Sequence, residues 1–227
     1  ADGVIVSDSH GNGQSLLLDD LPDRVEVVRN WPRPLGMMQG VDAPGVEAAF
    51  LLGYHTGAHH AAGVLAHTSS GLLISQLRLN GAPASETTIS AAIAGHFGVP
   101  VIFASGDDAY VEYAREALGD GVETVCTKIS SGRYSARTLT PAASCALIRT
   151  AAEKAVAGRG AAAPVRVEPP IRFEADFQRH IPAELLDYLP GVERTGSNTV
   201  EFNAPDMVAV SKFLSFFTAV KFDEQLP

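Results

Sequence analysis

Cysteine is scarce in this sequence, which has two, Cys126 and Cys145, among 227 residues. Two cysteines at this separation do not form the disulfide framework of a small secreted domain, and they supply no Cys-x-x-Cys pair for a metal or redox centre. We therefore interpret them as buried, reduced thiols. Because reduced thiols are typical of the cytoplasm, we expect a cytoplasmic protein.

Basic charge is also in short supply. The chain has 17 lysines and arginines against 26 aspartates and glutamates, which gives a net charge of −9. A protein that binds phosphate backbones needs a basic face, so this balance argues against a nucleic-acid partner. A membrane-spanning helix needs a run of about 18 apolar residues, and the sequence has no such run, so we expect no membrane partner.

Hydrophobic residues, in contrast, make up 46% of the chain, enough for a sizeable core. Apolar runs typical of strands occupy residues 3–8, 24–28, 48–54, 72–81 and 99–108. Helices are predicted to begin after Ser85, at Asp107-Asp108 and at Thr140-Pro141, where capping residues precede apolar stretches. The alternation of strands and helices predicts an α/β fold, a three-layer sandwich with a mostly parallel central sheet.

The last third of the chain has a different character. The polar stretch at 127–141 is predicted to be a loop, and residues 159–170 are typical of a connector. We therefore predict two domains. Residues 1–160 form an α/β core that binds a metal, and residues 161–227 form a smaller C-terminal α+β subdomain packed on it.

Histidine is concentrated in one stretch, since residues 53–70 contain His55, His59, His60 and His67. His55 follows an apolar strand, and His10 follows another. In open parallel sheets, ligands bind outside the carboxyl ends of strands, so these two imidazoles are candidates to converge on one site. Zinc prefers imidazole and carboxylate ligands and keeps one position for water at a catalytic site. Surface-loop histidines are the alternative.

A third ligand would have to come from another element. Glu86 opens a predicted helix, from where its carboxylate can point back to the sheet edge, although a first-turn glutamate is also favoured by the helix dipole alone. His67 lies twelve residues after His55. As a histidine that does not bind the metal, it could act as a general base or stabilise the transition state.

Seven short motifs occur in an order and spacing that resemble one family. They are VIVSDSHGNG, LLGYHTGA, GVLAHTSS, LNGAPASE, VPVIFASGDD, TKISSGRYSARTLTP and RTGSNTVEFNAPDM. Together they resemble the zinc-dependent D-aminopeptidases encoded with bacterial dipeptide-transport genes, from Gly3 to about Phe222.

The resemblance implies a pair of zinc ions with His10, His55 and Glu86 among the ligands, and His67 as the catalytic residue. It also implies a homo-oligomer, a decamer of two stacked pentameric rings, that releases N-terminal D-residues from short peptides.

One departure from the family is evident. Family members carry an Asp-x-Glu-Gly motif on an earlier strand, whose acidic pair completes the metal site, and this sequence has no such motif. We expect either that the sequence lacks the family's N-terminal segment or that the chain is a variant with a reduced site. In the second case His10, His55 and Glu86 would hold one zinc ion or none.

Three functions therefore stay open. The first is a zinc-dependent aminopeptidase that uses metal-activated water, with His67 as catalytic residue. The second is a related metallo-amidase that acts on L-peptides or other amides. The third is a non-catalytic, ring-forming relative without a complete metal site.

Overall fold

The structure, a computed structural model, describes residues 1–222. Its strands are β1 (Val4–Ser7), β2 (Val25–Val28), β3 (Ala49–Leu51), β4 (Ile74–Leu79), β5 (Ala82–Ala84), β6 (Val101–Asp107), β7 (Glu123–Gly132), β8 (Ser135–Thr138), β9 (Ile171–Phe177), β10 (Val192–Arg194) and β11 (Thr199–Ala204). Its helices are α1 (Glu86–His96), α2 (Asp108–Leu118), α3 (Pro141–Ala157), α4 (His180–Leu186) and α5 (Met207–Ala219). Single 3-10 turns occur at Leu18–Asp20, Gly36–Met38 and Arg159–Ala161.

A mostly parallel sheet lies at the centre of the α/β arrangement. Its strand order is β3-β6-β7-β8, with β3, β6 and β7 parallel and β8 antiparallel at the edge. All seven residues of β6 are buried. This explains its continuous apolar sequence, because a parallel strand that is covered on both faces has no polar alternation. The predicted α/β class is confirmed.

Helices pack on this sheet in two separate hydrophobic clusters. Ala155 and Ile148 of α3 pack with Phe103 in the smaller cluster. Tyr110 and Ala114 of α2 belong to the larger cluster, which also includes the apolar residues of α1 from Ile89 to Ala94. Two covering layers with a sheet between them are what the three-layer prediction requires. The short parallel pair of β1 and β2 forms a further two-stranded sheet.

An antiparallel sheet joins the middle of the chain to its C-terminal part. Its order is β10-β11-β9-β4-β5, so residues 74–84 share a sheet with three strands from beyond residue 161. Leu77 of β4 pairs with Ala175 of β9, and neither is accessible to solvent. The division into residues 1–160 and 161–227 stays a prediction, and this sheet contains strands from both ranges. Within residues 1–222, no helix has both the length and the apolar character needed to cross a bilayer.

Helix starts follow the capping residues of the sequence. The Ser85 hydroxyl accepts a hydrogen bond from the Thr88 amide, and the Thr88 hydroxyl accepts one from the Ser85 amide, which makes a capping box at α1. Asp107 and Thr140 also cap α2 and α3 through their side-chain oxygens. These capping predictions are confirmed, and such caps stabilise a helix by about 1 kcal/mol each.

The prediction of a polar loop at residues 127–141 is wrong, because most of that stretch is a β-hairpin. Strand β7 continues to Gly132 and pairs with β8 in antiparallel register, with Lys128 opposite Thr138. All four residues of β8 are exposed. A hairpin that covers no core needs no apolar alternation, so the pattern that normally identifies a strand is missing.

The prediction of buried cysteines is also wrong in part. Both thiols are free, but Cys145 is exposed on α3 and Cys126 is half-buried on β7. The reason is the position of α3 at the edge of the molecule, where Ala155 is its one fully buried residue.

Candidate metal centre

His55 lies just beyond the carboxyl end of β3, and its side chain is half-buried. Its ring nitrogen Nδ1 is 3.0 Å from the carbonyl oxygen of Thr56. Because a carbonyl can only accept, Nδ1 carries the proton and donates it. The other nitrogen, Nε2, is thereby left with its lone pair free, the form in which a histidine binds a metal.

Glu86 is the first residue of α1, directly after the capping residue Ser85. Its carboxylate is almost wholly buried, with the residue 8% exposed. One oxygen, Oε1, accepts a hydrogen bond of 2.7 Å from the amide of Ser69. The start of a helix favours negative charge, so a carboxylate is well placed at this position.

His67 reaches the same place from the loop after His55. Its amide donates to the carbonyl of Thr56 at 3.2 Å. Its ring Nδ1 is 2.6 Å from the carbonyl oxygen of Leu65, so Nδ1 donates and Nε2 is free, as in His55.

These three side chains form one group. The Nε2 atoms of His55 and His67 each lie 3.6 Å from a different oxygen of Glu86. The two imidazole rings stack with their centroids 4.2 Å apart. One ligand atom from each residue can be chosen so that all three lie within 4.8 Å of one another.

The group fits a zinc ion. Zinc bonds to nitrogen and oxygen are about 2.0 to 2.2 Å long, so two ligands on one tetrahedral ion lie roughly 3.4 Å apart. The separations of 3.6 Å within the group are close to that value and longer than a normal hydrogen bond. Two neutral imidazoles and a carboxylate are also the donor types that zinc selects.

Two buried tyrosines lie behind Glu86. Burial raises the pKa of the Tyr54 phenol, and the negative charge of Glu86 raises it further. Burial likewise raises the pKa of Tyr110, with smaller contributions from Tyr54 and Glu86. Both phenols therefore stay neutral at physiological pH. The Tyr110 hydroxyl accepts a hydrogen bond from the Thr87 hydroxyl at 3.2 Å, and neither phenol acts as a base.

Residues distant in sequence hold the loop between the two histidines. The buried carboxylate of Asp107 accepts from the amide of Val64 at 2.5 Å through Oδ2, while Oδ1 caps α2. The Thr56 hydroxyl donates to the carbonyl of Ala62 at 2.7 Å. Sequence reasoning identified Asp107 as a helix cap and missed its second role. No local sequence pattern indicates that role, because the partner residue, Val64, is 43 residues away in the chain.

His10 lies outside this group. It is exposed, two residues beyond the buried Asp8, whose carboxylate accepts from the Leu16 amide. The ends of β1 and β3 nevertheless approach each other through Met37. The Ser9 hydroxyl donates to the Met37 carbonyl, and the Tyr54 hydroxyl contacts the Met37 sulfur at 3.8 Å. The structure thus brings His55 and Glu86 together with His67, while His10 lies on the neighbouring loop after β1 and does not join them.

The neighbouring histidines of the 53–70 stretch have a different environment. The rings of His59 and His60 both pack edge-on against Tyr113. Partial burial lowers the pKa of His59, and the proximity of His60 lowers it further. Both rings therefore lie against α2, and neither histidine belongs to the group of His55, His67 and Glu86.

An α/β protein that gathers imidazoles and a buried carboxylate beyond the end of a parallel strand has the donor set of a metal-dependent hydrolase. Comparison with known proteins agrees with this class. Residues 1–216 match the D-aminopeptidase family of peptidases. The D-aminopeptidase of Bacillus subtilis (strain 168) is 30% identical over 208 residues, which cover 90% of this chain and 74% of that protein.

A solved structure shows the same relationship. The Zn-dependent D-aminopeptidase DppA from Bacillus subtilis, described as a self-compartmentalizing protease, matches with a TM-score of 0.90 and 26% identity. The match covers 99% of this chain and 81% of that one. The chain belongs to the D-aminopeptidase family, as its motifs predicted, and is therefore a peptide hydrolase.

Proposed function

We propose that this protein is a zinc-dependent aminopeptidase that releases N-terminal D-amino acids from short peptides. The observation that carries the proposal is the convergence of His55, His67 and Glu86, with both free Nε2 atoms close to the buried carboxylate. The zinc dependence of the similar Bacillus subtilis structure supports the choice of metal.

In this proposal His55 and Glu86 hold the metal. His10 is the further ligand that the family motif implies, and its support in the fold is the contact of both strand ends with Met37. Bound zinc supplies Lewis-acid polarisation of the scissile carbonyl and of a water molecule.

His67 moves the proton. Its Nδ1–H is held by the Leu65 carbonyl, so Nε2 is the atom that accepts a proton from the attacking water. As the carbon–nitrogen bond of the peptide breaks, the same atom returns that proton to the leaving amine. The neutral tautomer is thereby restored for the next cycle.

Two substitutions test the assignment of roles. His67→Ala should keep zinc and lose at least about a hundredfold in kcat, the usual contribution of a general base. His55→Ala should lose zinc and activity together. Metal content by mass spectrometry and release of D-alanine from short peptides, with L-alanine peptides in parallel, measure both.

A matched control is available on the same chain. His96 is exposed at the far end of α1 and packs on Phe97, so His96→Ala should change neither quantity. Loss of zinc in His67→Ala would make His67 an additional metal ligand and refute its role as base. Release of L-residues alone would favour the amidase alternative, and a zinc-free, inert wild type would favour the non-catalytic one.

We also propose that the protein assembles into a homo-oligomer, a decamer of two pentameric rings. The self-compartmentalizing nature of the similar structure supports an assembly. So does α3, which exposes Leu147 (49% accessible) on a helix of mostly small apolar residues. Analytical ultracentrifugation should give a particle ten times the mass of one chain, and Leu147→Asp should dissociate it. The two free thiols support a cytoplasmic location.

A further inference from the structure

We propose that Arg133, at the tip of the hairpin formed by β7 and β8, is a positioning residue for His67. This inference rests on the proposed function in one respect, since it takes His67 as the residue that moves the proton. Arg133 itself lies in the exposed turn between Gly132 and Ser135.

Two hydrogen bonds join Arg133 to the residues directly before His67. Its carbonyl oxygen accepts from the amide of Leu65 at 2.9 Å. Its guanidinium nitrogen Nη1 donates to the carbonyl of Ala66 at 2.7 Å. One residue therefore holds this piece of loop through its backbone and through its charged side chain, from a strand hairpin 67 residues further along the chain.

The conformation of Leu65 shows why such support is needed. Leu65 has φ of +56°, in the left-handed region that a leucine rarely occupies. Residues held there are strained unless their surroundings fix them. In this conformation the Leu65 carbonyl points at Nδ1 of His67, 2.6 Å away. The tautomer of His67 therefore depends on a peptide unit that Arg133 fixes on both sides.

The rest of the environment of Arg133 offers no competing role in stability. Within residues 1–222, no carboxylate lies at ion-pair distance from the Arg133 guanidinium, which also contacts the exposed Tyr134. The strand that follows is fully exposed and covers no core. Removal of the side chain should therefore leave the fold intact.

The test compares Arg133→Ala with Arg133→Lys. The alanine variant loses the bond to Ala66, and because small misplacements of a catalytic group cost up to about a hundredfold in rate, we expect kcat to fall at least about tenfold. KM and zinc content should stay within about twofold, since no metal ligand changes. Lysine keeps a single donor and should recover part of kcat.

Arg137→Ala is the matched control, because Arg137 lies on the same exposed hairpin with its backbone opposite Ile129, away from the contact that Arg133 makes with the His67 loop. It should keep the wild-type kcat. A rise in KM with unchanged kcat in Arg133→Ala would show that Arg133 binds substrate and would overturn the positioning role, as would an unchanged kcat.

A second readout does not depend on activity. In metal-free protein at alkaline pH, the ring-nitrogen NMR spectrum should show His67 protonated at Nδ1 in the wild type and a mixture of tautomers in Arg133→Ala. Identical spectra would overturn the proposal. If the wild type shows no peptidase activity, the proposed function fails, while the nitrogen spectra still decide whether Arg133 orients His67.

Discussion

The substitution Glu86→Gln gives the sharpest test of the metal centre, because it removes a charge and keeps the shape of the side chain. The new amide would retain one oxygen to accept from the Ser69 amide, the contact that Glu86 makes at 2.7 Å. Its NH2 group would then replace Oε2, the oxygen that lies 3.6 Å from Nε2 of His55. An amide is a poor zinc ligand beside a carboxylate.

The magnitude follows from the number of ligands. Protein zinc sites with four ligands bind with about 10 to 16 kcal/mol, so one ligand accounts for roughly 2.5 to 4 kcal/mol, or about two to three orders of magnitude in Kd. The metal-free fold should change much less. The lost interaction of the charge with the start of α1 amounts to about 0.3 to 1 kcal/mol.

The assay is zinc competition against a chromogenic chelator, together with urea unfolding of the metal-free protein. Glu112→Gln, a change of an exposed glutamate on α2, controls for the loss of one negative charge. Equal zinc affinity in the wild type and Glu86→Gln would refute the argument that the buried carboxylate is a ligand. A large loss of metal-free stability would show instead that Glu86 mainly supports the fold.

Two further predictions concern the residues that start α2. Asp107→Asn should destabilise the protein by about 1 to 3 kcal/mol in urea unfolding, because its NH2 group cannot accept from the Val64 amide while its oxygen caps Tyr110. Asp108 has a pKa below its ordinary value because its carboxylate accepts a backbone hydrogen bond from Ser130. Its contribution to stability is therefore present above about pH 4 and is lost as the pH falls through the lower folded pKa. Asp108→Asn should therefore make the free energy of unfolding less dependent on pH between those values. An unchanged pH dependence in that range would contradict this.

The sequence predicts much of the fold where local chemistry decides the structure. Ser85, Asp107 and Thr140 carry side-chain oxygens that cap a helix whatever lies elsewhere in the chain. The apolar run at residues 99–108 contains β6, and its lack of polar alternation is what a parallel strand covered on both faces predicts. The hairpin of β7 and β8 is missed because its register depends on backbone pairing alone.

The sequence predicts the members of the proposed metal centre but not their geometry. His55 and Glu86 stand at a strand end and a helix start, positions that the sequence pattern identifies. The stacking of His67 on His55 at 4.2 Å follows from a loop path set by Asp107, a contact with no local signal. The sequence left open whether His10 lies at the site or on the surface, because the turn after β1 is shaped by hydrogen bonds from Leu16 and Trp31.

Helix α1 connects the Glu86 carboxylate to the hydrophobic core of the protein. Nine of its eleven residues are buried, and Gly95 packs so closely on the segment around Val165 that an added methyl group would overlap the Val165 carbonyl. Glu86 lies nine residues away on the same helix, about 13 Å along its axis. A larger residue at Gly95 would therefore push the helix along its axis and shift Glu86, the proposed metal ligand at its other end.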